Sequence, residues 1–190
     1  MTEIRKKILK NFKEHHSVLE KTEATFQATE KTAEKIISCF KNNGKLLICG
    51  NGGSASDSNH LAAEFVNKYM KDRKPLPAIS LAANTSNITA IGNDYSFDYT
   101  FSKQVEALGN GNDVLICIST SGKSKNIIEA LKTAKKKKIF AVLFTGSSKT
   151  QAGELADIVI AVPSTSTPRI QEMHLLLYHC ICEIVESEFE

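Results

Sequence analysis

Four side chains in this sequence have the types and spacing for acid–base or metal chemistry: His60, Glu64, Gln171 and His179. His60 and Glu64 stand four residues apart in a stretch of helical pattern, which sets them on one face a turn apart, with Lys68 continuing the series. An imidazole and a carboxylate so placed can share a metal ion or position the carboxylate for proton transfer; a solvated surface pair is the ordinary alternative. Gln171 and His179 fall roughly 80° apart around a second helix and two turns along it. That helix is apolar nearly all round (Ile170, Met173, Leu177, Ile181), so a histidine in it needs a partner. For His174, a satisfied core histidine is explanation enough. Spacing alone does not bring the two helices together.

Two loops could hold an anion. Gly50-Asn51-Gly52-Gly53-Ser54 follows a short apolar run and opens a helix. Its glycines allow a sharp turn and close approach to a ligand, and Ser54 can cap the helix. The loose dinucleotide pattern Gly50-x-Gly52-x-x-Ala55 fits here, but the acidic residue required after the second strand is missing, since Ala82-Ala83-Asn84 stands there. Ser119-Thr120-Ser121-Gly122-Lys123-Ser124 offers four hydroxyls at the start of another helix, where N–H groups and the helix dipole favour negative charge. It lacks the upstream glycine of a nucleotide-hydrolysing phosphate loop. The alternative is a capped turn without a ligand.

The elements that must position these groups are legible in the periodicity. Residues 3 to 43 read as two helices, to about Glu20 and from Glu23 to Asn42, with Gly44 as the stop. Apolar runs then appear at Leu46–Cys49, Ala78–Leu81, Val114–Ile118, Phe140–Phe144 and Ile158–Val162, separated by helical segments such as Lys125 to Lys137. Unbroken apolar runs mark strands buried on both faces, and intervening helices imply parallel crossovers. The fold expected is α/β: a doubly wound, five-stranded parallel sheet with an N-terminal helical pair and a long C-terminal helix from about Arg169. Such a helix, apolar on every side, should be buried, in part between subunits.

Composition narrows the classes. At 190 residues the chain reads as one domain, 1–190, divided into N-terminal helices (1–43) and a sheet core with its last helix (44–190). The net charge is +3 with 7% aromatics, and the run Lys135–Lys138 reads as a solvated helix end, so no nucleic-acid surface is expected. Five cysteines in apolar stretches, without a Cys-x-x-Cys pair, point to a reducing cytoplasm. No segment reaches the ~18 apolar residues of a membrane span, so a soluble protein without membrane partners is expected.

Taken together, Cys49–Ser54, Asn93-Asp94, Ser119–Ser124 and Arg169–His174 resemble the phosphoheptose isomerase family of the sugar-isomerase (SIS) fold, over essentially the whole chain. The resemblance implies a homotetramer, assembled partly through residues 1–43, with active sites between subunits. It implies one Zn2+ per subunit on His60, Glu64, Gln171 and His179, and Glu64 and His179 as the acid/base pair. It also implies sugar-phosphate contacts from Asn51, Gly52, Gly53, Glu64, Asn93, Asp94, Ser119, Thr120, Ser121, Ser124 and Gln171. The implied reaction converts sedoheptulose 7-phosphate to D-glycero-D-manno-heptose 7-phosphate through an enediol, the first step toward heptose precursors of surface polysaccharide.

The sequence departs from the family pattern at three places. Asn84 stands where an aspartate is usual before Thr85, Ser164–Thr167 lacks an acidic residue, and Ser147-Ser148 replaces a glycine-rich turn. Two non-enzymatic readings compete. One is a related tetramer that binds a bacterial replication initiator but lacks the counterparts of Glu64 and His179, both present here. The other is a sugar-phosphate-sensing SIS domain, which normally accompanies a helix-turn-helix segment.

Overall fold

The computed structural model describes residues 1–146 and 149–189, so the Ser147-Ser148 departure lies outside the described residues. Helices α1 (Glu3–Thr22) and α2 (Phe26–Lys41), joined by a 3-10 turn at Glu23–Thr25, form the expected N-terminal pair. There follow β1 (Leu46–Gly50), α3 (Gly53–Val66), β2 (Ala78–Ser80), α4 (Thr85–Asp94), α5 (Ser102–Leu108) and β3 (Val114–Ile118). The chain continues through α6 (Lys125–Lys137), β4 (Phe140–Thr145), α7 (Gln151–Leu155), β5 (Ile158–Ala161) and α8 (Thr167–Glu186). All five strands are parallel, in the order β2-β1-β3-β4-β5, with Leu46 in register with Ala78 and Val114, and Val114 with Phe140.

The apolar strand runs are explained by two cores. Successive strand residues point to opposite faces. Leu46, Ile48, Val114, Ile116, Val142 and Phe144 pack toward α2, α3 and α8, while Leu47, Cys49, Leu115, Cys117, Ala141 and Leu143 pack toward α5 and α6. Every residue of β1 and β3 is buried, each large one contributing about 1.5–3 kcal/mol of apolar burial. Cys49 and Cys117 face each other with sulfurs 3.5 Å apart and unbonded, and all five cysteines are free.

One helix end differs from expectation and another follows it. α2 is closed by Asn43, not Gly44: Asn43 takes the left-handed conformation (φ 58°), and Gly44 donates its N–H to Cys39 O at 2.9 Å. Gly44 must still be glycine, because a Cβ there would collide with the Asn112 carbonyl. α6 ends at Lys137 with Lys138 left-handed, so the basic run does close a helix, where cations complement the C-terminal dipole.

The last helix is one-sided in a single chain. Ile170, Met173, Leu177, Tyr178, Ile181 and Val185 are buried, whereas Leu175, Leu176 and Ile184 are about two-fifths exposed. α1 lies against α8, where Arg169 donates to Asn11 O at 2.8 Å and His15 Nδ1 meets Glu172 Oε2 at 2.8 Å. On α1, Ile4, Ile8 and Phe12 stay exposed. Among the described residues no helix is long and apolar enough to cross a membrane.

His174 is the core histidine anticipated, but only half satisfied: it is fully buried with Nε2 donating to Thr145 O at 3.1 Å, while its Nδ1 has no hydrogen-bond partner. Burial lowers its pKa to about 4, against the opposing pull of that hydrogen bond. The unfolded imidazole takes a proton near 6.5. Between 6.5 and about 4 the unfolded state therefore binds more protons, and stability falls as pH is lowered across that window, by roughly 3 kcal/mol in full. Thermal midpoints measured from pH 7 to 4 should fall more steeply in the wild type than in His174→Gln. Parallel curves would assign the acid sensitivity elsewhere.

Candidate functional site

The strand order sets the place. From β1 the chain turns to β2 on one side, while β3 lies on the other, so the loops after β1 and β3 diverge and leave a crevice at the carboxyl edge of the sheet. Parallel sheets bind ligands at such a switch point. The first loop enters α3 through Gly52 (φ 58°), a left-handed conformation that glycine adopts without strain. Gly53 meets α8: a Cβ at Gly53 would collide with Gln171 Nε2, so the bare backbone lets the Gln171 amide lie against the loop. In the second loop Gly122 (φ 61°) donates its N–H to Ser119 O at 3.1 Å, and Gly146 N–H closes onto Thr120 O at 3.0 Å. Ser124 is the N-cap of α6, but its hydroxyl makes no capping hydrogen bond. A cavity of about 170 Å³ lies beside Thr120, Ser121 and Lys123. The first loop is tied to the first turn of α6 by a reciprocal amide pair, Asn51 with Asn126, both hydrogen bonds 2.9 Å.

The chemistry-bearing side chains lie further along α3 and α8, which run in the same direction, Gly53 beside Gln171 and His60 beside Tyr178. His60 Nε2 is 2.8 Å from Glu64 Oε1, and with a ring nitrogen of His179 these ligand atoms all lie within 4.8 Å of one another. The His60 and His179 rings stand edge to face, centroids 5.1 Å apart. Tyr178 Oη lies 3.0 Å from His60 Nδ1, and the Tyr69 ring lies 5.4 Å from that of His179.

Whether this group suits a cation can be judged from its own atoms. His179 Nε2 is buried without any hydrogen-bond partner. Burial, then the neighbouring His60, lowers its pKa, and Glu64 opposes them only in part, so the ring stays neutral with a free lone pair at neutral pH. Two imidazoles and a carboxylate converging in this way are a donor set for a borderline divalent metal. Burial likewise raises the Tyr178 phenol, with smaller contributions from the charges of Asp57 and other neighbours, so it remains protonated. Asp57 Oδ2 is buried and unpartnered, and burial raises its carboxyl pKa against the pull of His60.

The structure thus brings together His60, Glu64 and His179, sets Gln171 on the first loop, and places Asn51, Gly52, Gly53, Ser119, Thr120, Ser121 and Ser124 in the two loops at the switch point. No hydrogen bond or ion pair among the described residues joins Asn93 or Asp94 to these groups. The two residues end α4, a helix that buries no residue, and are exposed, Asn93 donating to Asp94 Oδ1 at 2.9 Å. Two expectations are corrected. Lys68 does not continue the His60–Glu64 face, because α3 ends at Val66. Ser54 does not cap α3, because the left-handed Gly52 starts the helix earlier and puts Ser54, buried, inside the first turn. Asn84 keeps a capping function, its Oδ1 accepting Asn87 N–H at 3.1 Å. Sequence reading missed Asn126, Asp57, Tyr69 and Tyr178, together with Glu186, whose carboxylate accepts the N–H groups of Tyr69, Met70 and Lys71. A buried polar residue on an apolar helix face, as at Tyr178 and Glu186, was the available signal.

The SIS domain family model matches residues 10–146. Phosphoheptose isomerase from Campylobacter jejuni (serotype O:6) is 47% identical over 180 residues, covering 95% of this chain and 97% of the relative. The Helicobacter pylori P12 protein of the same name is 46% identical, covering 96% and 95%. Two solved structures superpose closely: phosphoheptose isomerase from Neisseria gonorrhoeae (TM-score 0.91, 41% identity, 97% and 99% coverage) and from Francisella tularensis (TM-score 0.94, 38% identity, 98% and 100% coverage). With relatives matched end to end at this identity, and with the SIS topology, the chain belongs to the phosphoheptose isomerase family.

Proposed function

We propose that this chain is an aldose–ketose isomerase that converts sedoheptulose 7-phosphate to D-glycero-D-manno-heptose 7-phosphate, at the head of heptose precursor synthesis for surface polysaccharide. The observation that carries this reading is the convergence of His60, Glu64 and His179 from α3 and α8, two turns beyond the point where those helices meet at the first loop. In the proposal Ser119, Thr120, Ser121 and Ser124 hold the phosphate with hydroxyls and the open N-terminus of α6. Asn51, Gly52, Gly53 and Gln171 line the sugar, and Asn93 and Asp94 contact it from α4.

The reaction moves a carbonyl from C2 to C1. A base takes a proton from C1, a proton is returned to C2, and the hydroxyl proton passes from O1 to O2, so the protons balance. Glu64 and His179 are assigned this shuttle, a carboxyl oxygen and an imidazole nitrogen each being able to take up and release a proton. Zn2+ on His60, Glu64 and His179 would supply Lewis-acid stabilisation of the oxyanion that develops as C1 loses its proton. Gln171, set on the first loop two turns away from His179 along α8, is not brought to that group within one chain. Tyr69 beside His179 helps exclude water from that ring.

The proposal includes a single domain over 1–190, a homotetramer using residues 1–43, and a cytoplasmic setting. Exposed Ile4, Ile8 and Phe12 on α1, with Leu175, Leu176 and Ile184 on α8, support assembly, since apolar surface of this size is ordinarily covered.

The test is turnover of sedoheptulose 7-phosphate by the purified protein after chelation, with and without added zinc. Conversion restored by zinc is expected. Binding of the sugar phosphate without conversion at any zinc level would replace the enzyme with a sensor.

A further inference from the structure

Tyr178 is fully buried in the core between α8 and the sheet, yet its hydroxyl lies 3.0 Å from His60 Nδ1. The other nitrogen of the same ring, Nε2, is 2.8 Å from Glu64 Oε1. A neutral imidazole carries one N–H. Facing the carboxylate alone, the proton sits on Nε2, and Nδ1 accepts from the phenol. With the Nε2 lone pair given to a cation, the proton must sit on Nδ1, and that N–H requires an acceptor. A phenol oxygen can donate in the first state and accept in the second; an aromatic ring without the hydroxyl can do neither.

We propose that Tyr178 is a positioning residue for His60, its phenol oxygen accepting from Nδ1–H once the Nε2 lone pair is given to a divalent cation shared with Glu64 and His179. Once the phenol accepts from Nδ1–H, its own proton needs a destination. The acceptor the proposal assigns is Asp57, three residues before His60 on α3, whose Oδ2 is buried and has no hydrogen-bond partner. Such outer hydrogen bonds orient ligating histidines and fix which nitrogen binds. The inference rests on the reading of His60, Glu64 and His179 as a metal-binding group.

Tyr178→Phe deletes one oxygen and keeps the buried ring. In competition titrations of the full-length protein against a chromophoric chelator, zinc affinity should fall by ~10–100-fold, the range for loss of such a partner. The thermal midpoint of the metal-free variant should stay close to that of the wild type. In the zinc-loaded wild type, 15N–1H spectra should show a protected Nδ1–H resonance for His60 that is absent from the variant. Unchanged zinc affinity in Tyr178→Phe, or a zinc-loaded His60 protonated at Nε2, overturns the proposal. Failure of the wild type itself to bind zinc overturns the metal reading beneath it, which the wild-type titration reports separately.

Discussion

Glu64→Gln is expected to lower kcat for sedoheptulose 7-phosphate by about 10²–10⁴-fold, the range for loss of a general acid–base group. The introduced amide has the same shape and its carbonyl can still accept from His60 Nε2, which lies 2.8 Å from the native carboxylate, so the end of α3 has no reason to move. What is lost is the capacity to hold a proton reversibly. His179→Ala should produce a loss of the same order for a different reason. It removes the neutral imidazole that completes the group with His60 and Glu64. Circular dichroism and oligomer mass should match the wild type in both. Zinc content measured alongside separates a lost shuttle from a lost ligand, because the amide that replaces the Glu64 carboxylate can still offer an oxygen. A rate within a few-fold of the wild type in either variant would falsify the acid/base assignment.

How far the sequence leads toward this site depends on the range of the interaction that makes each part. Strands β1 and β3 are legible because a strand covered on both faces must be apolar at every position, which is a local property. The loop glycines are legible because left-handed backbone at Gly52 and Gly122 is also local. His60 with Glu64 is one helical turn. By contrast, Asn51 finds Asn126 75 residues away, and His60 finds Tyr178 118 residues away. No periodicity announces such pairs. Tyr178 also looks like one more core residue of an apolar helix until its hydroxyl is seen to need a partner. The same limit explains α8 itself. An all-round apolar pattern fits both burial in one chain and burial between chains, and only the packing separates buried Leu177 from exposed Leu176.

The parallel run of α3 and α8 lets two helices build the whole metal-binding group. They start together at the first loop, Gly53 against Gln171, and stay in step for two turns, so His60 and Glu64 on one arrive opposite Tyr178 and His179 on the other. Precision at the far end then depends on what locks the helices where that group lies. The lock is the last residue of α8.

Glu186→Ala is therefore expected to be the most damaging single change to stability, costing about 3–5 kcal/mol, as for other broken buried ion pairs. Glu186 is 3% exposed, and its carboxylate accepts the N–H groups of Tyr69, Met70 and Lys71 at 2.8–2.9 Å. Arg73 Nε stands 3.3 Å from it, an ion pair without the alignment of a hydrogen bond, while the guanidinium donates to the carbonyls of Phe65 and Glu64 at the end of α3. Removing the carboxylate leaves the Arg73 charge, itself 1% exposed, without a counter-ion, and releases the segment that carries Tyr69 over His179. For a chain of this length the loss corresponds to a drop in thermal midpoint on the order of 10 °C. Although burial pushes the Glu186 carboxyl up, the three N–H donors and Arg73 outweigh it and hold the pKa below the ordinary 4.5. The stabilisation is thus fully present above 4.5 and is lost as pH falls through the lower folded-state value, a loss that Glu186→Ala should abolish. Adding Arg73→Met to the alanine variant should recover part of the midpoint, because the uncompensated charge is then gone. A single variant that melts within a degree of the wild type, or a double variant worse than either single one, would show that the pair is not what joins α8 to the end of α3.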